Sequence, residues 1–179
     1  MKYKHNDMES LEKQLQKCDP DKVKLIVSDS VFSMEGDVAH VKEMVELAKK
    51  YDASLMIDEA HGIGVFGEGG RGVCHAQGGA KDVDLIMGTF SKSFASLGGF
   101  IATNKEITNY LRHHSRSYIF TASITPASTA AALAALDIME KEPERQENLW
   151  KLTHFALDGF RQAGFEIGNT STPIIPLFI

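Results

Sequence analysis

Lys92 stands in the stretch Gly88-Thr89-Phe90-Ser91-Lys92-Ser93, just after the apolar run Val83 to Met87. A desolvated lysine amine attacks carbonyl carbon, and hydroxyls beside free backbone N–H groups suit a phosphate. Alone, the stretch reads equally well as a surface lysine in a serine-rich loop. A second group precedes it. The run Leu55-Met56-Ile57 ends on Asp58, and Glu59, Ala60, His61 and Gly62 follow. An acid leaving a strand, with an imidazole three residues on, puts a fixed anion beside a ring that titrates near neutrality. Each of these residues alone is also what a capped strand end or a backbone-bonded loop histidine looks like. A third group is Val31-Phe32-Ser33-Met34-Glu35-Gly36-Asp37, which serves equally as a plain strand-to-helix turn. A fourth is the glycine-dense segment from Gly62 to Gly72, which permits close backbone approach to a ligand.

The order Asp-Glu-Ala-His also occurs in nucleic-acid helicases, where it serves magnesium and ATP. That reading needs an upstream G-x-x-x-x-G-K-[ST] loop. Around Lys92, Ile86 and Ser91 stand where the two glycines belong, and the stretch follows the acidic motif instead of preceding it.

The elements that must hold these residues alternate. Met8 to Lys17 has the pattern of a short helix with Asp7 as its N-cap and Pro20 just beyond its end. Val23 to Val27 has the pattern of a buried strand. Val38, Val41, Val45 and Ala48 fall on one helical face within Val38 to Tyr51. Leu55 to Ile57, Val83 to Met87 and Phe100 to Ala102 are further strand patterns. Lys105 to His114 reads as a helix and Tyr118 to Phe120 as a strand. Pro126 opens an Ala-rich helix to about Lys141, and Pro143 begins an amphipathic one running to about Ala163, closed by Gly164. Such alternation predicts an α/β fold around a parallel or mixed sheet. Ligands of such sheets sit at the carboxyl ends of strands, which is where Asp58, His61, Thr89, Ser91 and Lys92 fall.

Taken in order, SVFSMEGD, MIDEAHGIGVFGEGGRG and DLIMGTFSKSFASLGGF closely resemble the α-oxoamine synthase family of fold-type I pyridoxal-phosphate enzymes. The resemblance runs from His5-Asn6-Asp7 nearly to the end. Within the family, TFSKSFASLGGF and SYIFTASITPA look most like the bacterial branch that uses L-serine and a long-chain acyl-CoA; branches with other amino acids and acyl-CoAs are the alternative. The resemblance implies that Lys92 holds pyridoxal 5′-phosphate as a Schiff base, that Asp58 pairs with its ring nitrogen, and that His61 bonds its phenolic oxygen. It implies Thr89 and Ser91 around the phosphate, Ser33 near the ring oxygen, and Thr121 reaching the phosphate of a neighbouring subunit in a homodimer. The implied reaction is a decarboxylating condensation of an amino acid with an acyl-CoA. A homologous non-catalytic subunit is the reading of another class, and it would be expected to lack Lys92.

The same resemblance implies that residues 1–141 are the second half of a cofactor-binding large domain. Residues 142–179 would be a linker helix and the start of a small C-terminal domain. The apolar run Thr172 to Ile179 reads as a strand with nothing after it to cover it, so the chain is expected to be a fragment, inactive alone. The rest of the pocket, including an aromatic residue stacked on the ring and an arginine for the substrate carboxylate, would lie outside it. The net charge of −5 gives no basic footprint for nucleic acid. Cys18 and Cys74 form no CxxC pair, which favours a reducing setting, and no uncharged apolar run reaches the roughly 20 residues of a membrane span. The expected location is the cytoplasm, with a peripheral place at the inner membrane compatible with a long-chain acyl-CoA.

Overall fold

A computed structural model describes residues 1–178. Four strands line up in the order β1 (Leu25–Asp29), β2 (Ser54–Asp58), β3 (Leu85–Thr89) and β4 (Gly99–Ala102). β1, β2 and β3 are parallel and β4 is antiparallel to β3, so the sheet is mixed, as the alternation of elements implies. Helices α1 (Met8–Leu15) and α2 (Val41–Lys50) pack on one face. Asp7 caps α1, its carboxylate accepting from the Ser10 N–H at 2.8 Å. The apolar stripe of α2, namely Val41, Met44, Val45 and Ala48, is buried with Ile26, Leu55 and Ile57 of the sheet.

The expected start of α2 at Val38 moves to Val41. Val38 instead forms a bridge with Val31, and its carbonyl accepts from the Asn6 amide. β1 begins two residues later than expected and runs on to Asp29, in register with Asp58.

The opposite face of the sheet is open among the described residues. Leu25 and Val27 of the edge strand β1 are 54% and 53% exposed, although the strands of parallel sheets are normally covered on both faces. Side chains alternate along a strand, so Leu25, Val27 and Asp29 share that open face with their register partners Ser54, Met56 and Asp58.

Beyond the sheet lie α4 (Lys105–His114), α5 (Arg116–Phe120), α6 (Pro126–Lys141) and α7 (Glu144–Gln162). Asn104 caps α4, and Thr125 caps α6 with Pro126 in its first turn, so both helices match their expected bounds closely. Tyr118 to Phe120 corrects the sequence reading, being helical instead of extended. The Ser115 hydroxyl accepts from the Tyr118 N–H at 3.4 Å and starts a turn that the β-favouring Tyr and Ile side chains do not override. Among the described residues the terminal run forms no strand. Thr170 and Thr172 are buried, and the Phe178 N–H donates to the Glu166 carbonyl. Ile179 lies outside the described residues. No helix among the described residues is long and apolar enough to cross a membrane.

Candidate active site

Three strand ends deliver the reactive groups to one edge of the sheet. β1 ends on Asp29 and β2 on Asp58, which are register partners, and the Ser30 N–H closes the gap by donating to the Asp58 carbonyl at 2.8 Å. β3 ends on Thr89, three residues before Lys92. Lys92 sits in a tight loop. The Ala95 N–H bonds the Lys92 carbonyl at 2.9 Å, and Ala95 itself is held at φ +48°. An alanine in that region costs on the order of 1–2 kcal/mol, and such strain gathers at functional loops.

A cleft of about 130 Å³ opens where these ends meet. His61 and Lys92 line it, with Val31, Val65 and Phe66 on one side and Thr172, Pro173 and Ile174 of the terminal run on the other. That is small beside the roughly 300 Å³ at which ligand pockets begin. A larger hollow of about 650 Å³ lies among Ala48, Lys49, Asp82, Val83 and Asn104. It opens at the amino ends of the strands, away from Lys92, where α/β sheets do not place ligands. The smaller cleft is therefore the candidate site.

Its His61 and Lys92 lie within electrostatic reach of the Asp29 carboxylate, and its His61 also of Asp58, at the ends of β1 and β2. Burial pushes the Asp29 carboxyl up from the usual range, and the like charge of Asp58 adds to this; His61 and Lys92 work in the other direction. Burial pushes His61 down, and the Lys92 ammonium adds to that, against the pull of Asp29 and Asp58. His61 is therefore a neutral imidazole at pH 7, with one ring nitrogen able to donate and the other to accept. One Asp58 oxygen, Oδ1, accepts from the Ala60 N–H at 2.8 Å. Among the described residues its Oδ2 has no hydrogen bond and can take one from a ligand.

Thr89 and Ser91 form a pair of hydroxyls 2.8 Å apart, and the Ser91 N–H donates to Thr89 Oγ1. Beside Lys92, the Ser93 hydroxyl donates to the Ile63 carbonyl at 2.8 Å, tying the lysine loop to the histidine loop. From the far side, the indole N–H of Trp150 and the amide of Gln146 both donate to the Val65 carbonyl at 2.8 Å. Helix α7 thereby clamps the glycine-rich segment. Lys92 and Asp58 both lie within electrostatic reach of His61, and Thr89 and Ser91 follow the end of β3 in the loop that carries Lys92. Ser33 is on an exposed turn after β1, and Thr121 is the exposed residue that follows α5.

The sequence reading passed over Asp29 and Glu59. Ser28 separates Asp29 from the apolar run before it, so it carries no sequence signal like that of Asp58. Glu59 is 1% exposed, and its carboxylate accepts from the Val73 and Cys74 N–H groups at 3.1 and 2.6 Å. Only the approach of α3 (Val73–Ala76), fourteen residues on, reveals that role. Cys74 beside it is no reactive thiol, because burial and the Glu59 charge push its ionisation far up.

A primary amine, an acceptor carboxylate, a neutral imidazole and paired hydroxyls form a donor set that fits an aldehyde cofactor with a ring nitrogen, a phenolic oxygen and a phosphate. The comparisons agree. A serine palmitoyltransferase of Bacteroides ovatus is 64% identical over 179 residues, covering 100% of this chain and 45% of that protein. An 8-amino-7-oxononanoate synthase of Petrotoga mobilis is 45% identical, covering 99% and 46%. A serine palmitoyltransferase from S. paucimobilis, solved with bound PLP–myriocin aldimine, superposes with a TM-score of 0.93 at 38% identity, covering 99% of this chain and 46% of that one. The chain thus spans a little under half the length of these relatives. Residues 1–178 match the family described as aminotransferase class I and II, and the chain belongs to that family.

Proposed function

We propose that the full-length protein carrying this chain is a pyridoxal 5′-phosphate-dependent acyltransferase of the α-oxoamine synthase class. It would condense L-serine with a long-chain acyl-CoA to 3-ketosphinganine, releasing carbon dioxide and CoA. The observation that carries this is the meeting of Lys92, Asp58 and His61 at the carboxyl ends of β2 and β3. The 64% identity to a serine palmitoyltransferase supports the choice of substrates.

When bound, pyridoxal 5′-phosphate supplies an electron sink for negative charge at the amino acid's α-carbon. Lys92 Nζ would hold the group, and as a free amine it would be the base placed to take the α-proton. Asp58 would pair with the ring nitrogen and hold its proton in place. Neutral His61 donates to the phenolic oxygen, and Ser33 is assigned to the same side of the ring. The hydroxyls of Thr89 and Ser91 donate to the phosphate. Thr121 is assigned to the phosphate of a second copy, and the exposed run Tyr118, Ile119 and Phe120 beside it supports a homodimer. Residues 1–141 are assigned to the cofactor domain, and 142–179 to a linker helix and the start of a small domain. We place the full-length protein in the cytoplasm, meeting its acyl substrate at the inner membrane surface.

A second reading, 8-amino-7-oxononanoate synthase or glycine C-acetyltransferase, draws support from the 45% identity to a relative of the former name. A homologous subunit without activity fits less well, because Lys92, Asp58 and His61 are all kept. The test is thiol release from palmitoyl-CoA by the full-length protein with L-serine, L-alanine or glycine. Release with L-serine alone is expected; release only with glycine or L-alanine overturns the choice of substrate.

A further inference from the structure

We propose that Glu59 is a positioning residue that sets His61 against Lys92 by locking the glycine-rich segment onto the end of β2. Its main chain and its side chain do this together. The Glu59 N–H donates to the Met87 carbonyl at 2.8 Å, fixing residue 59 to β3. Its carbonyl accepts from the Gly62 and Ile63 N–H groups at 2.9 and 3.0 Å, so His61 lies inside a turn closed on Glu59. Its carboxylate then reaches fourteen residues ahead and takes both leading N–H groups of α3. The segment between, residues 60 to 72, is held at both ends by this one residue.

The surroundings are shaped for a carboxylate. A Cβ at Gly62 would overlap Glu59 Oε2, and one at Gly72 would lie 2.7 Å from the carboxyl carbon. Two glycines thus make the space that the buried side chain fills. A carboxylate without water around it persists only when its oxygens are bonded, and here two backbone N–H groups supply those bonds. An amide in its place presents an NH₂ to one of the two N–H donors, so that contact is lost. The segment then loosens at its α3 end, and because the Glu59 side chain also packs against Gly62 the change reaches the turn that holds His61.

The inference rests on the proposed role of His61, and its test does not use turnover. In the full-length protein without added cofactor, exchange at the imidazole C2–H followed by mass spectrometry reads the titration of His61, and amide exchange reads residues 60–74. Glu59→Gln is expected to speed amide exchange in residues 60–74 and to move the His61 titration up, toward the ordinary imidazole value of about 6.5. Glu59→Asp, with the charge kept and the reach shortened, is expected to lie between Glu59→Gln and wild type, and it carries the test should the glutamine variant not fold. Asp7→Ala, which loosens the distant cap of α1, is expected to leave His61 unmoved. Faster amide exchange with an unchanged His61 titration overturns the proposal, as does an equal His61 shift in Asp7→Ala. Failure of pyridoxal phosphate to label Lys92 in wild type would instead sink the functional reading, and leaves this result interpretable.

Discussion

Gly62→Ala should weaken the fold by about 1–3 kcal/mol, whereas the same exchange at Gly159 should strengthen it. The added methyl at residue 62 overlaps Glu59 Oε2 and comes within 2.8 Å of the buried Ser30 hydroxyl. Two responses are open. The carboxylate retreats and gives up a bond to Val73 or Cys74, and bonds to a charged group are worth roughly 1.5–3 kcal/mol each. Otherwise the backbone around residues 60–64 shifts, and forcing an extra carbon into a packed site costs roughly 1–3 kcal/mol. The cheaper response sets the loss. At Gly159, within α7, an added Cβ meets nothing within 4 Å, so the gain is the helix preference of alanine, about 0.5–1 kcal/mol. Urea unfolding followed by Trp150 fluorescence compares the two, because this sole tryptophan sits 5.1 Å from Phe66 of the same segment. A Gly62→Ala midpoint at or above that of Gly159→Ala would refute the packing argument.

The charges around His61 make opposite-signed predictions. Asp29→Asn removes a charge that favours the imidazolium and should lower the His61 titration further, while Lys92→Met removes an opposing one and should raise it; shifts of the same sign would contradict the arrangement. With its folded value depressed, His61 contributes a stability present above about pH 6.5 and lost as pH falls through that value, because the unfolded chain then takes the proton first. Asp29 works the other way, its raised folded value meaning that lower pH relieves the strain of its charge and offsets part of the His61 loss; Asp29→Asn should therefore steepen the acid side of the stability profile. Trp150→Phe keeps the ring beside Phe66 but loses the bond to the Val65 carbonyl, a cost of about 1 kcal/mol by urea unfolding.

Legibility from the sequence followed the range of the interactions. The caps Asp7, Asn104 and Thr125 act within three residues of themselves, and the helix starts they set were close to the expected ones. The places of Asp58, His61 and Lys92 beyond strand ends were readable because each follows an apolar run that had to become a strand. At Tyr118 to Phe120 the local signals conflicted, with β-favouring side chains set against a serine cap, and the cap won. Asp29 entered view only when β1 was found to extend into register with Asp58. Glu59 was invisible because its partners, the N–H groups of Val73 and Cys74, come near only after the glycine-rich segment folds back. The open face bearing Leu25 and Val27 was equally unforeseeable, since those residues carry the pattern of a strand covered on both sides.

The central claim is that Lys92 anchors the cofactor. Adding pyridoxal 5′-phosphate to the full-length protein, reducing with borohydride and mapping the modified peptide tests it directly. The account predicts a pyridoxyl group on Lys92, and none at that peptide in Lys92→Ala. Labelling at another lysine with Lys92 left free would contradict it.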